Sequence, residues 1–257
     1  MIDLNTEAII ELCEKAAEAV MDIYSSGTAN IKNKKDSSPV TDADLLSNRI
    51  ITDGLKVLYP DIPVISEENK ILSHQIRKTW KYCWLLDPLD GTREFINKTG
   101  EFTINLALVR EGRVIAGFVN VPFFTKTYFA VKNKGAFCKT GGKMKKIVVQ
   151  DFPGRNKTKR VTISRYHPDN KTSAYINSLH DVELIKVGSS LKILNIAEGK
   201  ADMYPRLARL NEWDIAATQI ILEEAGGSVV SFYTGKPLTY NRKQMRLPAF
   251  IASSKSL

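Results

Sequence analysis

The segment DPLDGT, residues 87–92, places two carboxylates three residues apart directly after an apolar run. Pro88 cannot continue a strand's hydrogen bonding and Gly91 permits unusual backbone angles, so we expect the chain to turn sharply and aim both aspartates at one point. Two carboxylates that close repel each other unless a cation lies between them. Hard divalent cations, Mg²⁺ foremost, take such oxygen ligands. The segment therefore predicts a metal site, whereas an ordinary Asx turn would explain only one of its aspartates.

The residues that follow, Thr92 to Phe95, have the composition of a helix start. The free N–H groups of a helix start attract anions. If these groups face the same point as the two aspartates, they form a binding site for a phosphate group beside the metal. The pattern thus indicates chemistry on a phosphate ester.

Three further acids lie far from this segment. Glu67 and Glu68 end the apolar run Ile62 to Ser66, and strand pairing would bring them beside Asp87, although paired acids after a strand are often simply solvated. Asp214 stands in WDIAA, at a predicted helix start whose stop is the glycine pair of EEAGG. A helix-capping aspartate is the alternative explanation for Asp214.

Hydrophobic periodicity predicts the elements that must position these acids. A helix over residues 6–24 precedes a second helix, which begins at a capping box formed by Thr41 and Asp44 and runs to about Leu58. The other predicted helices cover 191–197 and 214–225, and the predicted strands cover 62–66, 82–86, 103–109, 114–121, 127–131, 161–164, 182–187 and 228–232.

Composition excludes several classes of protein. The chain has 257 residues, 43% of them hydrophobic and 25% charged, which is typical of a globular protein. No apolar run is long enough to span a membrane, and no signal peptide is recognisable. The cysteines, Cys13, Cys83 and Cys138, fit neither a disulfide framework nor a zinc site, so we predict a cytoplasmic protein.

The net charge of +9 is unevenly divided. Residues 1–130 carry 15 basic and 18 acidic side chains, and residues 131–257 carry 22 and 10. An acidic half facing a basic half suits a cleft in which one wall holds cations and the other holds a polyanionic ligand. A solvated basic face is the alternative for most of the lysines; those at 143, 145 and 146 are expected to flank a surface loop.

Taken together, the Glu67-Glu68 pair, DPLDGT and the WDIAA and EEAGG segments resemble the signatures of the inositol monophosphatase superfamily of Mg²⁺-dependent, Li⁺-sensitive phosphatases, in the family's order and over most of the chain. The resemblance implies an α+β fold, a layered αβαβα sandwich. It also implies an N-terminal lobe at 1–140 with most metal ligands and a C-terminal lobe at 141–257 with Asp214 and the basic substrate-binding residues, the two forming one functional unit.

The resemblance further assigns roles to the acids. It implies one Mg²⁺ on Glu67, Asp87 and the Leu89 carbonyl and a second on Asp87, Asp90 and Asp214. Glu68 is expected to act near the attacking water, where a third ion would bind, so the resemblance implies two or three ions and inhibition by Li⁺. Asp44 and Thr92 resemble the pair that orients the attacking water. Together with Gly91, these metal-site residues and Thr92 are also expected to contact the substrate.

Within the superfamily, the segments GSSLK at 188–192, AEGKAD at 197–202 and YPR at 204–206 resemble the bacterial 3'(2'),5'-bisphosphate nucleotidases, which act in sulfur assimilation. The resemblance implies hydrolysis of the 3'-phosphate of adenosine 3',5'-bisphosphate or its 5'-phosphosulfate relative. Lys192 and a forked Arg206 would hold the second phosphate, with Ser189 and Ser190 as further donors. Nucleotide contacts are also expected in Ser164-Arg165-Tyr166-His167. A solvated charge is the alternative for Lys192 and Arg206.

The expected partner is a small nucleotide bisphosphate, with no nucleic acid bound and with peripheral contact to the inner membrane permitted by the basic half. An inositol or sugar-phosphate phosphatase of the same fold is the nearest rival hypothesis. A non-enzymatic protein that binds RNA or acidic membranes is a third, because a basic chain can bind such polyanions. The sequence leaves the oligomeric state open.

Overall fold

The computed structural model describes residues 2–33, 39–152, 157–166 and 169–254 of the chain. Within these residues lie seven helices, with a 3₁₀ turn at Pro122–Phe124. The helices are α1 (Thr6–Ser26), α2 (Asp42–Leu58), α3 (His74–Arg77), α4 (Thr92–Ile96), α5 (Asn170–Asn177), α6 (Leu191–Ala197) and α7 (Ala216–Glu224).

The strands of the same residues form a short ribbon and two sheets. The ribbon pairs β1 (Ile31–Asn33) with β2 (Pro39–Thr41). The strands of the larger sheet are β3 (Val64–Ser66), β4 (Tyr82–Asp90), β5 (Thr103–Arg110), β6 (Arg113–Val121), β7 (Lys126–Val131), β8 (Ala136–Thr140) and β9 (Lys143–Ile147). The strands of the smaller sheet are β10 (Lys159–Ser164), β11 (Val182–Val187), β12 (Met203–Arg206), β13 (Ser228–Ser231) and β14 (Phe250–Ser253).

The seven-stranded sheet follows the chain order from β3 to β9. Its strands are antiparallel neighbours except for β3, which runs parallel to β4 with Ser66 opposite Leu86. This pairing is the feature that matters for the site, because the residues after Ser66 and Leu86 then leave the sheet side by side. The antiparallel arrangement from residue 103 onward is as predicted.

The five-stranded sheet has the order β11, β10, β12, β14 and β13. Strands β11 and β12 are parallel to β10, whereas β14 pairs antiparallel with both β12 and β13. The carboxyl ends of parallel β10 and β11 therefore lie at one edge, and the segment that follows each strand emerges there.

Five layers result from the way the elements bury their apolar faces. Helices α1 and α2 cover one face of the larger sheet through side chains such as Ile9, Ile51 and Phe118. Helices α6 and α7 lie between the two sheets in the largest apolar cluster, and α5 covers the outer face of the smaller sheet. Gly117 of β6 lets α7 approach closely, because a Cβ there would lie 2.5 Å from the Ala217 carbonyl oxygen. The predicted αβαβα sandwich is confirmed.

One local prediction needs correction. The DPLDGT segment does not end the strand in a sharp turn; β4 continues to Asp90, with an irregularity in its pairing to β5 between Asp87 and Asp90. The lysines at 143, 145 and 146 lie exposed on β9, just before the segment that joins β9 to β10, which agrees with their expected place beside a surface loop. Strands β8, β9, β12 and β14 and helix α5 were not predicted, because they are short or lack a clear period.

The predicted lobe division after residue 140 stays a prediction. In the structure, β9 pairs with β8 and so belongs to the seven-stranded sheet. All three cysteines are buried and unpaired, which agrees with the absence of a disulfide framework. No helix among the described residues has the length and apolarity needed to cross a membrane.

Candidate active site

Three acids from different parts of the chain converge in the structure. Glu67, Asp87 and Asp214 each offer a carboxylate oxygen within 4.8 Å of those of the other two. Parallel pairing of β3 with β4 places the first two side by side, and the Glu67 N–H donates to the Leu86 carbonyl. Asp214 arrives from the segment before α7. The observed convergence is what a shared cation requires.

Asp214 is not the cap of α7. That helix begins at Ala216 and its N-cap is Ile215, so Asp214 stands two residues ahead of the helix. Its Oδ2 accepts from the Asn211 N–H at 2.9 Å, and the neighbouring Trp213 donates its indole N–H to Glu67 Oε2 at 3.1 Å. The segment before α7 is therefore tied directly to the Glu67 side of the cluster.

The cluster is electrostatically strained without a cation. Burial, with the negative charges of Glu67, Asp90, Asp214 and Asp44, raises the pKa of Asp87 well above its ordinary value. Burial and the charges of Asp90 and Glu67 likewise raise the pKa of Asp214. Carboxylate oxygens are the donors that hard divalent cations prefer, and a cation would relieve this repulsion. The residues present therefore fit a divalent metal.

Asp90 has a different environment from the other acids. Its Oδ2 accepts from the hydroxyls of Ser189 at 2.7 Å and Ser190 at 2.8 Å, and from Asn105 Nδ2 at 3.5 Å. Its Oδ1 has no hydrogen-bond donor among the described residues, and Asp90 lines the central cleft. Among the described residues, Asp90 does not belong to the group of three acids whose oxygens lie within 4.8 Å of one another. Its negative charge nevertheless contributes to the raised pKa values of Asp87 and Asp214.

Asp44 and Thr92 meet although they are 48 residues apart. Thr92 Oγ1 donates to Asp44 Oδ1 at 3.1 Å and lies 3.3 Å from the Leu89 carbonyl oxygen. Asp44 is almost fully buried, and its Oδ2 accepts from the Thr41 N–H and hydroxyl in the predicted capping box. The hydroxyl of Thr92 is thereby oriented between a carboxylate and the DPLDGT backbone.

A cleft of about 220 Å³ is lined by Glu67, Asp90 and Asp214 and also by basic side chains. Lys192 and Arg206 line it from the smaller sheet and α6, while Arg93 lines it from α4. Lys192 is only 9% exposed; its Nζ donates to the Ser189 carbonyl, and burial lowers its pKa. Arg206 Nη1 lies 3.9 Å from Asp169 Oδ2. The cleft thus has an acidic wall and a basic wall.

One sequence-predicted catalytic residue, Glu68, is placed less centrally. Glu68 is half-buried and does not line the cleft within the described part of the chain, although its N–H lies 3.3 Å from Ser66 Oγ. Helix α4 begins at Thr92 as predicted, after Gly91 in a left-handed conformation, but it has only five residues. Ser164 lines the cleft, and His167 lies outside the described residues.

Several site residues escaped the sequence reasoning. Asn105 and Thr103 of β5 bond the serines that contact Asp90, through Asn105 Nδ2 to Ser190 Oγ at 2.9 Å and a 2.7 Å contact between the Thr103 and Ser189 hydroxyls. Both are polar residues buried within a strand that otherwise carries apolar side chains. A buried polar residue in a strand next to an acidic segment was the signal that could have identified them.

The raised pKa values give a prediction for the metal-free protein. Folded protein holds protons on Asp87 and Asp214 more tightly than unfolded chain does, so the free energy of unfolding falls as pH rises from about 4 toward the raised pKa values. The melting temperature of the metal-free protein, measured across this pH range, is expected to fall as the pH rises. Saturating Mg²⁺ is expected to flatten it, because the bound ion favours the ionised carboxylates; an unchanged slope would contradict the metal assignment.

Comparison with known proteins agrees with this geometry. The model of the inositol monophosphatase family matches residues 2–255. The 3'(2'),5'-bisphosphate nucleotidase CysQ of Escherichia coli strain K12 is 39% identical over 250 residues, which cover 96% of this chain and 98% of that protein. CysQ of Haemophilus influenzae is 35% identical, covering 86% and 82% respectively.

Solved structures show the same fold. CysQ from Bacteroides thetaiotaomicron, described as a bacterial member of the inositol monophosphatase family, superimposes with a TM-score of 0.85 at 35% identity, covering 98% of this chain and 97% of that one. An IMPase from Thermotoga maritima gives a TM-score of 0.77 at 27% identity, covering 95% and 90%. The similarity therefore extends over nearly the whole chain.

Proposed function

The chain belongs to the inositol monophosphatase family, and from this premise we propose that it hydrolyses the 3'-phosphate of adenosine 3',5'-bisphosphate to give AMP and phosphate. The same activity would act on the 5'-phosphosulfate analogue, within sulfur assimilation. The chain is a phosphoric monoester hydrolase of the bisphosphate nucleotidase type. The observation that carries the proposal is one cleft in which converged carboxylates face Lys192 and Arg206.

Enzymes of this family are metal-dependent, and we assign the metal here as Mg²⁺, two or three ions, with inhibition by Li⁺ expected. Glu67, Asp87, Asp90, Asp214 and the Leu89 carbonyl would hold these ions. When bound, Mg²⁺ would supply positive charge for the attacking and leaving oxygens of an in-line phosphoryl displacement. The acid cluster supports this assignment through its buried, mutually repelling carboxylates.

The chain's own residues supply the remaining needs of the reaction. Thr92 Oγ1, held by Asp44, can orient a water for attack, because a hydroxyl bonded to a carboxylate has a fixed direction. Glu68 is proposed as a further acid near this water. Gly91 and Thr92, at the start of α4, line the cleft, and we propose that their N–H groups contact the transferred phosphate.

The basic wall suits the phosphate that is not transferred. Lys192 and Arg206 lie on the wall facing the acids and are mostly buried, so they would bind an anion with little competition from water. We propose Ser189 and Ser190 as additional contacts at the boundary between the two walls. Their hydroxyls donate to Asp90 Oδ2.

A substrate panel at fixed Mg²⁺ tests the function. Adenosine 3',5'-bisphosphate is expected to turn over faster than inositol 1-phosphate or a sugar phosphate, and removal of Mg²⁺ by a chelator or addition of Li⁺ is expected to abolish or reduce turnover. Faster hydrolysis of inositol 1-phosphate would favour the rival inositol phosphatase. RNA binding that weakens steeply with salt, without phosphatase activity, would favour the non-enzymatic hypothesis.

The expectation of a cytoplasmic enzyme with peripheral contact to the inner membrane stays a prediction. The feature that supports such contact is the row of exposed lysines on edge strand β9, at positions 143, 145 and 146, since basic side chains are attracted to anionic lipid surfaces.

A further inference from the structure

A three-way contact joins the two sheets beside the cleft. Glu101, between α4 and β5, accepts two hydrogen bonds from Arg165, from Nε at 2.9 Å and Nη2 at 2.7 Å. It also accepts from the Gly188 N–H at 2.9 Å. Arg165 follows β10, Gly188 follows β11, and Arg165 Nη2 donates in addition to the Lys186 carbonyl at 3.1 Å. We call Glu101, Arg165 and Gly188 the interlobe latch.

The latch draws the chain after β11 tightly against the DPLDGT segment and its helix. A Cβ on Gly188 would lie 2.6 Å from Glu94 Cγ, so only glycine fits there without displacement. A Cβ on Gly91 would lie 3.0 Å from the Glu101 carbonyl oxygen and 3.2 Å from Ser189 Cβ. Glu101 therefore lies close to both segments. Its side chain accepts from the Gly188 N–H, and its backbone carbonyl oxygen lies next to Gly91.

The residue after the latch has a backbone conformation that needs support. Ser189 has a φ of 52°, in the left-handed region that non-glycine residues rarely occupy. Such a conformation costs about 1 kcal/mol or more and persists only when its surroundings hold it. The fixed position of Gly188 and the Thr103 hydroxyl provide this support, and the result is that the Ser189 and Ser190 hydroxyls both point at Asp90.

Both serine hydroxyls bond the same oxygen of Asp90, an acid that lines the cleft. Because both serines and Asn105 bond Oδ2, the Asp90 carboxylate cannot rotate freely, and its Oδ1 accepts no hydrogen bond from the described residues. Loss of the serine contacts would leave the orientation of this carboxylate undefined. Residues that orient a metal-binding side chain commonly change metal affinity when they are altered.

We propose that Glu101 and Arg165 are positioning residues: they hold the 188–190 segment in its left-handed conformation and thereby orient Asp90 for metal binding. The proposal rests on the proposed function only in taking Asp90 as a metal ligand. Neither latch side chain touches the acids themselves. Their effect passes through the backbone of Gly188 and the two serine hydroxyls.

Metal binding to the protein without substrate tests this role. Mn²⁺ serves as the probe, because it takes the same oxygen ligands and its free form gives a paramagnetic resonance signal that disappears on binding. Arg165→Met is expected to weaken Mn²⁺ binding about tenfold, the lower end of what supporting residues contribute. The Mn²⁺ affinity of Arg165→Lys should lie between those of the parent and of Arg165→Met, because a lysine keeps the charge but loses the two-pronged geometry.

Arg160→Met is the matched control. Arg160 also forms a two-pronged pair across elements, with Asp202, but that pair lies away from the acids. This variant is expected to lower the melting temperature while leaving Mn²⁺ affinity unchanged; Lys139→Met, which removes the pair with Glu14 on the protein surface, is a second control. Unchanged Mn²⁺ affinity in Arg165→Met, or an equal loss in either control, would overturn the proposal.

The double variant Glu101→Gln with Arg165→Met distinguishes a latch from two separate effects. If the residues act as one unit, it binds Mn²⁺ no more weakly than the worse single variant; independent effects that multiply would contradict the latch. Because no substrate is present, these outcomes do not depend on which phosphate ester the enzyme hydrolyses. A wrong substrate assignment and a wrong latch assignment therefore give different results.

Discussion

Replacing Asp90 with asparagine is expected to lower kcat for adenosine 3',5'-bisphosphate by about a thousandfold. The side chain keeps its volume but loses its negative charge in the cleft that Asp90 lines. Charge stabilisation by a bound metal contributes several kcal/mol to phosphoryl transfer, and about 4 kcal/mol corresponds to three powers of ten in rate. Steady-state kinetics at saturating Mg²⁺ measure the loss.

The same substitution is expected to leave the fold intact. An asparagine carbonyl oxygen can still accept from the Ser189 and Ser190 hydroxyls, and removal of the Asp90 charge reduces the repulsion that raises the pKa values of Asp87 and Asp214. The melting temperature of the metal-free variant should therefore equal or exceed that of the metal-free parent. This result would show that the lost activity comes from lost charge in the site.

A matched aspartate provides the control. Asp53 on α2 is largely exposed and pairs with Lys56, so Asp53→Asn makes the same chemical change away from the cleft. It is expected to retain full activity, since exposed pairs contribute little. Near-parental turnover by Asp90→Asn, with the control also active, would refute a metal-binding role for Asp90.

Replacing Arg206 with alanine is expected to raise KM for adenosine 3',5'-bisphosphate by about 10–100-fold, with a much smaller change for adenosine 3'-monophosphate. The two substrates share the reacting phosphate and differ in the phosphate that the basic wall would hold. A hydrogen bond between charged groups contributes about 1.5–3 kcal/mol, which corresponds to this range. The side chain of Arg206 is only 11% exposed, so its charge is weakly screened.

Comparing the two substrates distinguishes the loss of a contact to the second phosphate from a general distortion of the cleft. A variant that merely distorts the cleft loses affinity for both compounds equally, and that outcome would count against a clamp for the second phosphate. Arg209→Ala is the control, because Arg209 is exposed and lines a separate surface depression rather than the central cleft. Its KM values are expected to match those of the parent for both substrates.

Much of the acidic wall could be predicted because its signals are local. Pro88 restricts the backbone before Asp90, and Gly91 permits the left-handed conformation after it. Thr41 and Asp44 form a capping box that follows from residue type and spacing alone. The apolar runs before Glu67 and before Asp87 identified two strands that end in acids. Their parallel pairing and the approach of Asp214 are long-range steps that these local signals do not specify.

The environment of Asp90 could not be predicted from local pattern. Ser189 and Ser190 reach it from 99 and 100 residues away in the chain, and Asn105 reaches it from the neighbouring strand β5. Nothing near those residues specifies the register that aligns them. Strand β14 illustrates the same limit: it is a four-residue segment that completes the smaller sheet by pairing with β12 and β13. Short strands acquire their position from their neighbours.

The sequence by itself determined which groups can do chemistry, since the types and spacing of the acids, DPLDGT and the glycine-rich helix stop are properties of short segments. Tertiary structure alone decided how those groups are held: which oxygen of Asp90 the serines bond, how Glu101 joins the ends of β10 and β11, and that Lys192 and Arg206 line the same cleft as Asp90 and Asp214. The physical reason is that orientation depends on hydrogen bonds between distant segments. Their geometry exists only after both sheets have packed around α6 and α7.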